Sequence, residues 1–288
     1  MATTFYITAG LPAIDSTPVL LGTDYTQDAN CQGAWFLDGT STETDRSGNG
    51  NTLSGGAGTP ERSSTVPSGY VGYSRDFEKD NNTELTRADA DLTGLDITGN
   101  ILSIVAWIKI ESAGTYGIVS KYDADDGKRQ YTFEIITNQL QLVLSSNGTS
   151  GTVFNGDTTT LTTATWYHIA VVANGTNVKF YINGSSDTAS PSAWTSNLYN
   201  GTHPFKIGNR GGLYFDGNID EVAVFDRELS ATEISNIYTT GISGNKGVSD
   251  CISKFFITAG LPANDYVAAA SNPTITITET LAFAEALD

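Results

Sequence analysis

Nine Asn-Gly or Asp-Gly dipeptides punctuate this chain, and few architectures can use so many. They are Asp38-Gly39, Asn49-Gly50, Asp126-Gly127, Asn147-Gly148, Asn155-Gly156, Asn174-Gly175, Asn183-Gly184, Asn200-Gly201 and Asp216-Gly217. Such pairs accept the positive φ angles that tight hairpins demand. The runs between them are short, apolar and rich in β-branched and aromatic residues. They predict strands over 101–111, 117–121, 131–137, 139–145, 167–174, 178–182 and 218–225. One short helix is predicted late in the chain. Ser230-Ala231-Thr232-Glu233 has the spacing of a capping box, and Ile234, Ile237 and Tyr238 would give the helix one apolar face. Many strands and a single late helix imply an all-β, two-sheet antiparallel sandwich.

The strands occupy a body over 31–251, bracketed by segments 1–30 and 252–288. Phe5-Tyr6-Ile7-Thr8-Ala9-Gly10-Leu11-Pro12-Ala13-Ile14-Asp15 returns as Phe255-Phe256-Ile257-Thr258-Ala259-Gly260-Leu261-Pro262-Ala263-Asn264-Asp265, with nine of eleven positions identical. The period is far too long for a stacking repeat. The tail adds the alternating Thr274-Ile275-Thr276-Ile277-Thr278. Lone strands of this kind have unpaired edges, so the flanks are read as β-rich assembly segments. They pair with other subunits, giving a homo-oligomer, or with each other in a small private sheet.

The formal net charge of −17, with only 15 Lys and Arg, disfavours nucleic acid and anionic membranes as direct partners. The first residues carry no basic region and no apolar run of signal-peptide length. Cys31 and Cys251 sit at the two edges of the body. If its first and last strands are neighbours they pair as a disulfide; otherwise they are two free thiols.

Several motifs come in a fixed order: Trp107-Ile108-Lys109, Gly117-Ile118-Val119-Ser120-Lys121, Trp166-Tyr167-His168-Ile169-Ala170-Val171-Val172 and Phe180-Tyr181-Ile182-Asn183-Gly184. Lys206-Ile207-Gly208-Asn209, Phe215-Asp216-Gly217-Asn218-Ile219-Asp220-Glu221-Val222 and Leu229-Ser230-Ala231-Thr232-Glu233-Ile234 follow. Together they resemble the laminin G-like branch of the concanavalin A-like lectin/glucanase jelly rolls. The resemblance implies a jelly roll for the body. The fold serves lectins, hydrolases, adhesion modules and structural proteins alike, so it does not by itself imply a function. The hydrolase branch places carboxylates as Glu-x-Asp-x-x-Glu on one strand face, and this chain has no such triplet. The expectation is therefore a non-enzymatic protein.

Calcium is the expected cofactor. Asp45-Arg46-Ser47-Gly48-Asn49-Gly50-Asn51 gathers oxygens of the kind a hard cation takes. The resemblance adds Asp220, which matches an Asp that often joins a structural calcium to the opening segment. Asp45, carbonyls near Asn49, and Asp220 form the candidate site. The same residues also suit a metal-free Asx turn, with Asp220 capping an amide. For sugar, Trp194, Tyr199 and Tyr214 with Asn209 make a candidate lectin-like rim, unless the aromatics fold back onto the sandwich. Trp35, Trp107 and Trp166 are expected in the core. His168 is expected to be structural and His203 exposed.

The Thr-Ile-Thr-Ile-Thr-Glu-Thr-Leu tail resembles low-complexity stretches of bacteriophage structural proteins. With the flanks, it gives the functional expectation of a phage decoration protein on a virion surface, docking through 1–30 and 252–288 and presenting the jelly roll to host glycans. The rival expectation is an extracellular carbohydrate-binding or adhesion domain of a secreted bacterial protein; a glycoside hydrolase is the third.

Overall fold

A computed structural model describes residues 23–123, 128–156, 159–188 and 191–243. Both copies of the repeat, the alternating tail and Cys251 lie outside them, and so do the expectations about flank pairing and the disulfide. The described residues form two large antiparallel sheets and one α-helix. The first sheet runs, in order, Ser185–Ser186, Asn177–Ile182, Trp166–Asn174, Ile101–Ile110, Gly217–Phe225, Ser74–Phe77 and Glu61–Ser63. Two further strands attach to it, Cys31–Trp35 on Gly217–Phe225 and Ser192–Ala193 on Asn177–Ile182. The second sheet runs Thr152–Asn155, Gln139–Leu144, Tyr131–Ile136, Tyr116–Lys121, Phe205–Ile207, Leu85–Arg87, Leu53–Gly55 and Thr42–Glu43. This is the predicted all-β jelly-roll sandwich.

The turn chemistry works unevenly. Asn183 and Gly184 take φ of 50° and 76° and close a two-residue hairpin, as their sequence predicts. The Tyr131–Ile136/Gln139–Leu144 hairpin is closed by Thr137 and Asn138, both left-handed, without glycine. Asp216-Gly217 is not a hairpin at all. Gly217 opens a strand, and a Cβ there would sit 2.1 Å from the Lys109 carbonyl oxygen. Glycine is needed at that position for close approach of two backbones.

Between the sheets lies the main core, with Trp35, Phe77, Ile104, Ile108, Phe133, Phe180 and Phe205 among its members. A second, smaller core lies on the outer face of the first sheet. There Val105, Ala170, Val172, Ala223 and Phe225 meet Ile234 and Ile237 of the helix Ala231–Thr240. Central strands buried on both faces read as continuous apolar runs, which is why Ile101–Ile110 shows little alternation. The capping box is formed: Ser230 Oγ accepts from the Glu233 amide, and the Glu233 carboxylate in turn accepts from the Ser230 amide. Tyr25 belongs to this smaller core, and its amide donates to the Ile242 carbonyl at 2.8 Å. The jelly roll thus begins before residue 31, the boundary drawn from sequence.

Candidate functional site

The loop expected to hold calcium is a hydrogen-bonded clamp. Asp45 Oδ1 accepts from the Ala34 amide (3.0 Å), the Ser47 amide (2.9 Å) and Ser47 Oγ (2.7 Å), and Oδ2 accepts from the Asn51 amide (2.8 Å). Asn49 Nδ2 donates to the carbonyls of Cys31 and Gln32. Asp45 thus accepts four hydrogen bonds that hold the loop, three at Oδ1 and one at Oδ2. Asp220 stands where Gly217–Phe225 changes partner, from Ser74–Phe77 to Cys31–Trp35. A bulge there puts Glu221 at φ 44°, and the Glu221 amide donates to Asp220 Oδ1 at 2.8 Å. Burial, and then the adjacent Glu221 charge, push the Asp220 carboxyl well above its ordinary range. Among the described residues no group of three or more His, Cys, Asp or Glu has the arrangement of a metal site.

The aromatic rim is not assembled. Trp194 is only 5% exposed and packs edge-on against Phe154 in the main core, so it offers no platform. The burial of a large apolar ring at the end of the sandwich outweighs its loop-like sequence surroundings. Asn209 is buried, with Nδ2 given to Glu84 at 2.5 Å. Tyr199 is exposed beside Gly148, and half-buried Tyr214 lies on a separate small hairpin opposite Asn209. His203 is buried rather than exposed, with Nε2 3.4 Å from Asp123. His168 is buried, edge-on to Trp107. Cys31 is also buried, which with the Asp45 charge pushes its thiol up to about 12.

A different set of groups is brought together on the outer face of the first sheet, beyond the helix-covered half. Ladder register aligns Glu61 with Asp76, Asp76 with Asn218, Asn218 with Lys109 and Lys109 with Trp166. Their chain neighbours Phe77, Ile108, Ile110 and Ile219 belong to the main core, and Tyr167 packs against it. Strand alternation therefore turns this row outward. Five strands at about 4.8 Å spacing make a row roughly 19 Å long, enough for several linked sugar rings. Trp166, expected in the core, is half-buried in this row. One step along the strands, Trp107, His168, Tyr70 and Tyr238 form an aromatic wall that ends the helix-covered half. Trp107 Nε1 donates to the Tyr70 hydroxyl at 2.8 Å.

Three polar atoms in the row are buried and have no hydrogen-bond partner: Asp76 Oδ1, Asn218 Nδ2 and Trp166 Nε1. Asn218 is only 2% exposed. A cleft of about 490 Å³ opens at the acidic end of the row, lined by Gly58, Thr59, Glu61, Asp76, Glu78, Asn81 and Thr83. Burial raises the Asp76 carboxyl, Lys109 opposes the rise, and Glu61 and Asp216 add to it. The Glu78 carboxyl is raised by burial, then by Asp76 and Glu111. In the chain just before Ser74–Phe77, Val71 and Tyr73 are exposed, and the Arg62 guanidinium lies 3.4 Å from the Tyr73 ring centroid. No one stretch of sequence contains this site. No local pattern marks its members: Lys109 is the one charge in Ile101–Ile110, and Asn218 shares Gly217–Phe225 with Asp220 and Glu221.

A family model described as the concanavalin A-like lectin/glucanases superfamily matches residues 81–235, more than half of the chain. Among solved structures, the binding domain of Paraclostridial Mosquitocidal Protein 1 superposes with a TM-score of 0.58 at 13% identity, covering 74% of this chain and 52% of that one. Domain 4 of AbnA, a GH43 extracellular arabinanase from Geobacillus stearothermophilus in complex with arabinotriose, gives 0.53 at 19%, covering 73% and 98%. Botulinum neurotoxin type C, which depends on two ganglioside molecules to enter cells, gives 0.53 at 14%, covering 73% and 51%. The chain spans about half the length of the two toxin structures. At these identities the likeness is one of fold. No curated protein matches the chain by sequence.

Proposed function

The chain belongs to the concanavalin A-like lectin/glucanase superfamily, and from that premise we propose that it binds a glycan, without turnover, along the Glu61–Asp76–Asn218–Lys109–Trp166 row. The observation that carries the reading is the trio of unsatisfied groups, Asp76 Oδ1, Asn218 Nδ2 and Trp166 Nε1, on one outward face. Buried polar groups are normally hydrogen-bonded, and leaving them bare costs about 1–3 kcal/mol each. A ligand dense in hydroxyls supplies a donor to Asp76 and acceptors to Asn218 and Trp166, while the indole offers an apolar face to a ring. The AbnA domain, matched over nearly its whole length, adds a precedent for oligosaccharide binding on this fold.

Screening the full chain on a broad glycan array, followed by calorimetry with the best neutral hit, tests this. Trp166→Ala and Asn218→Ala should each weaken binding by about tenfold or more, as expected for one lost hydrogen bond plus contact area. Melting midpoints serve as the folding control. Binding untouched by both substitutions would remove the row from the reading, and an empty array would remove glycan binding itself.

The duplicated flanks extend the proposal. Their near-identity supports a docking device that joins the chain to copies of itself or to other subunits of a phage particle, with the jelly roll displayed at the virion surface. Because Tyr25 belongs to the folded body, the informative truncation removes 1–22 and 252–288. The trimmed chain is expected to run as a folded monomer by light scattering while the full chain assembles. A trimmed chain that still assembles would exclude the flanks as the joint.

A further inference from the structure

Resting on the glycan reading above, we infer that the row takes a uronate, a sugar whose carboxylate sits between Lys109 and Asn218 while its ring lies against Trp166. Asn218, Lys109 and Trp166 follow one another on three adjacent strands, and each presents a donor. Asn218 Nδ2 and Trp166 Nε1 are buried and unpartnered, and Asn218 is only 2% exposed. Lys109 between them is half-buried, and among the described residues no hydrogen bond or ion pair commits its ammonium. Three donors in line call for a ligand that only accepts. A hydroxyl accepts, but it brings a proton that needs an acceptor of its own. Neither Ile101–Ile110 nor Trp166–Asn174 carries a carboxylate to take that proton, and Lys109 is the one Lys, Arg, Asp or Glu on the two strands. A carboxylate accepts at both oxygens and brings no proton, and its hydrogen bonds to an ammonium are charge-assisted.

The acids nearby set the direction in which such a ligand lies. Asp76 and then Glu61 continue the row on the other side of Asn218, and Glu78 acts on Asp76's side as well. Asp216 is committed to Lys79, whose ammonium donates to it at 2.8 Å. Asp220, two residues along from Asn218, has its carboxyl raised well above the ordinary range, by burial first, which mutes its charge. Glu111, exposed two residues past Lys109, opposes an anion across water, where salt screens it. A carboxylate is therefore repelled from the Asp76 end and held at Lys109. The ring that carries it then falls on the Trp166 side, where the indole offers an apolar face and its N–H an oxygen's partner. The next ring of the chain, lying toward Asp76, supplies from a hydroxyl the donor that Asp76 Oδ1 lacks.

The test uses the full chain and four probes: an α-1,4-linked galacturonate tetramer, its fully methyl-esterified form, its carboxyl-reduced galactose counterpart, and tricarballylate, a free tricarboxylate. Calorimetry is run near neutral pH and low salt. The galacturonate tetramer should bind about tenfold tighter than either neutral tetramer, as expected when a neutral hydrogen bond becomes charge-assisted, and its lead should shrink as salt rises. In Lys109→Met the ratio of charged to neutral affinity should fall to about one, while Trp166→Ala should weaken all three tetramers. Melting midpoints again control for folding. Equal affinities for the charged and neutral tetramers would overturn the carboxylate assignment and leave glycan binding standing. A lead that survives Lys109→Met would overturn it as well. Tricarballylate binding as tightly as the galacturonate tetramer would reduce the site to an anion trap, and so overturn it too. Silence from all three tetramers would also end it, with glycan binding itself left to the array.

Discussion

Replacing Arg75 with methionine is expected to destabilise the sandwich by about 3–5 kcal/mol, the usual cost of stranding a buried charge. Arg75 and Glu43 form an ion pair with both side chains 1% exposed. Arg75 lies on a strand near the edge of the first sheet and Glu43 on the terminal strand of the second, so the pair staples the two layers at one margin. The guanidinium also donates to the carbonyls of Pro60 at 2.8 Å and Thr40 at 3.3 Å. Without it, the Glu43 carboxylate keeps the Gly39 amide, at 3.1 Å. Burial already raises the Glu43 carboxyl, and the Arg75 charge does the most to oppose that rise. The variant should therefore suffer more at neutral than at acid pH, where Glu43 is protonated. Urea titration gives the loss directly, and the melting midpoint should drop by roughly 10 °C for a domain of this size. An Arg75→Met/Glu43→Leu double variant should recover most of the loss, since removing both charges is often close to neutral. A single variant within about 1 kcal/mol of wild type would show that water reaches Glu43 and that the staple is not sealed.

The contrast between what could and could not be read from sequence follows from distance along the chain. The Trp166–Asn174/Asn177–Ile182 hairpin was legible because its ladder joins near neighbours and Asn174 builds the turn itself, its side-chain oxygen accepting from the amides of Thr176 and Asn177. The helix start was legible because a capping box spans four residues. The binding row was not, because ladder register assembles it from residues 61, 76, 109, 166 and 218, each unremarkable alone. For Trp194 sequence left rim and fold-back both open, and the structure shows the second for a related reason. Its surroundings read as loop, yet a two-residue strand, Ser192–Ala193, pins the segment to Asn177–Ile182 and turns the ring inward against Phe154. The Asp45 loop could be read two ways from composition. The structure adds that the turn's hydrogen bonds are formed, with four donors on the Asp45 carboxylate.

Glu134→Gln should abolish a pH dependence of stability worth about 3 kcal/mol. Glu134 is fully buried on the outward side of the second sheet, and burial pushes its carboxyl from an ordinary 4.5 up to about 7. Its cationic neighbour, Arg210 Nε at 3.1 Å, only partly offsets that rise. Arg210 comes from the small Asn209–Arg210/Leu213–Tyr214 hairpin and also lies 5.0 Å from the Tyr122 ring centroid. The folded state holds the Glu134 proton more tightly than the unfolded chain does. Between the unfolded and folded values it binds more protons, so stability falls as pH rises from about 4.5 to about 7 and is flat above that. Glutamine imitates the protonated acid at every pH. The unfolding free energies of wild type and Glu134→Gln should therefore agree within about 1 kcal/mol near pH 4 and diverge by about 3 kcal/mol in favour of the variant near pH 8. Glu43, Asp76 and Asp220 also have raised carboxyls and shape the absolute curves. They are common to both proteins and cancel in the difference. A difference that stays constant across this range would mean that Glu134 is ionised in the folded state throughout, and that Arg210 alone compensates its burial.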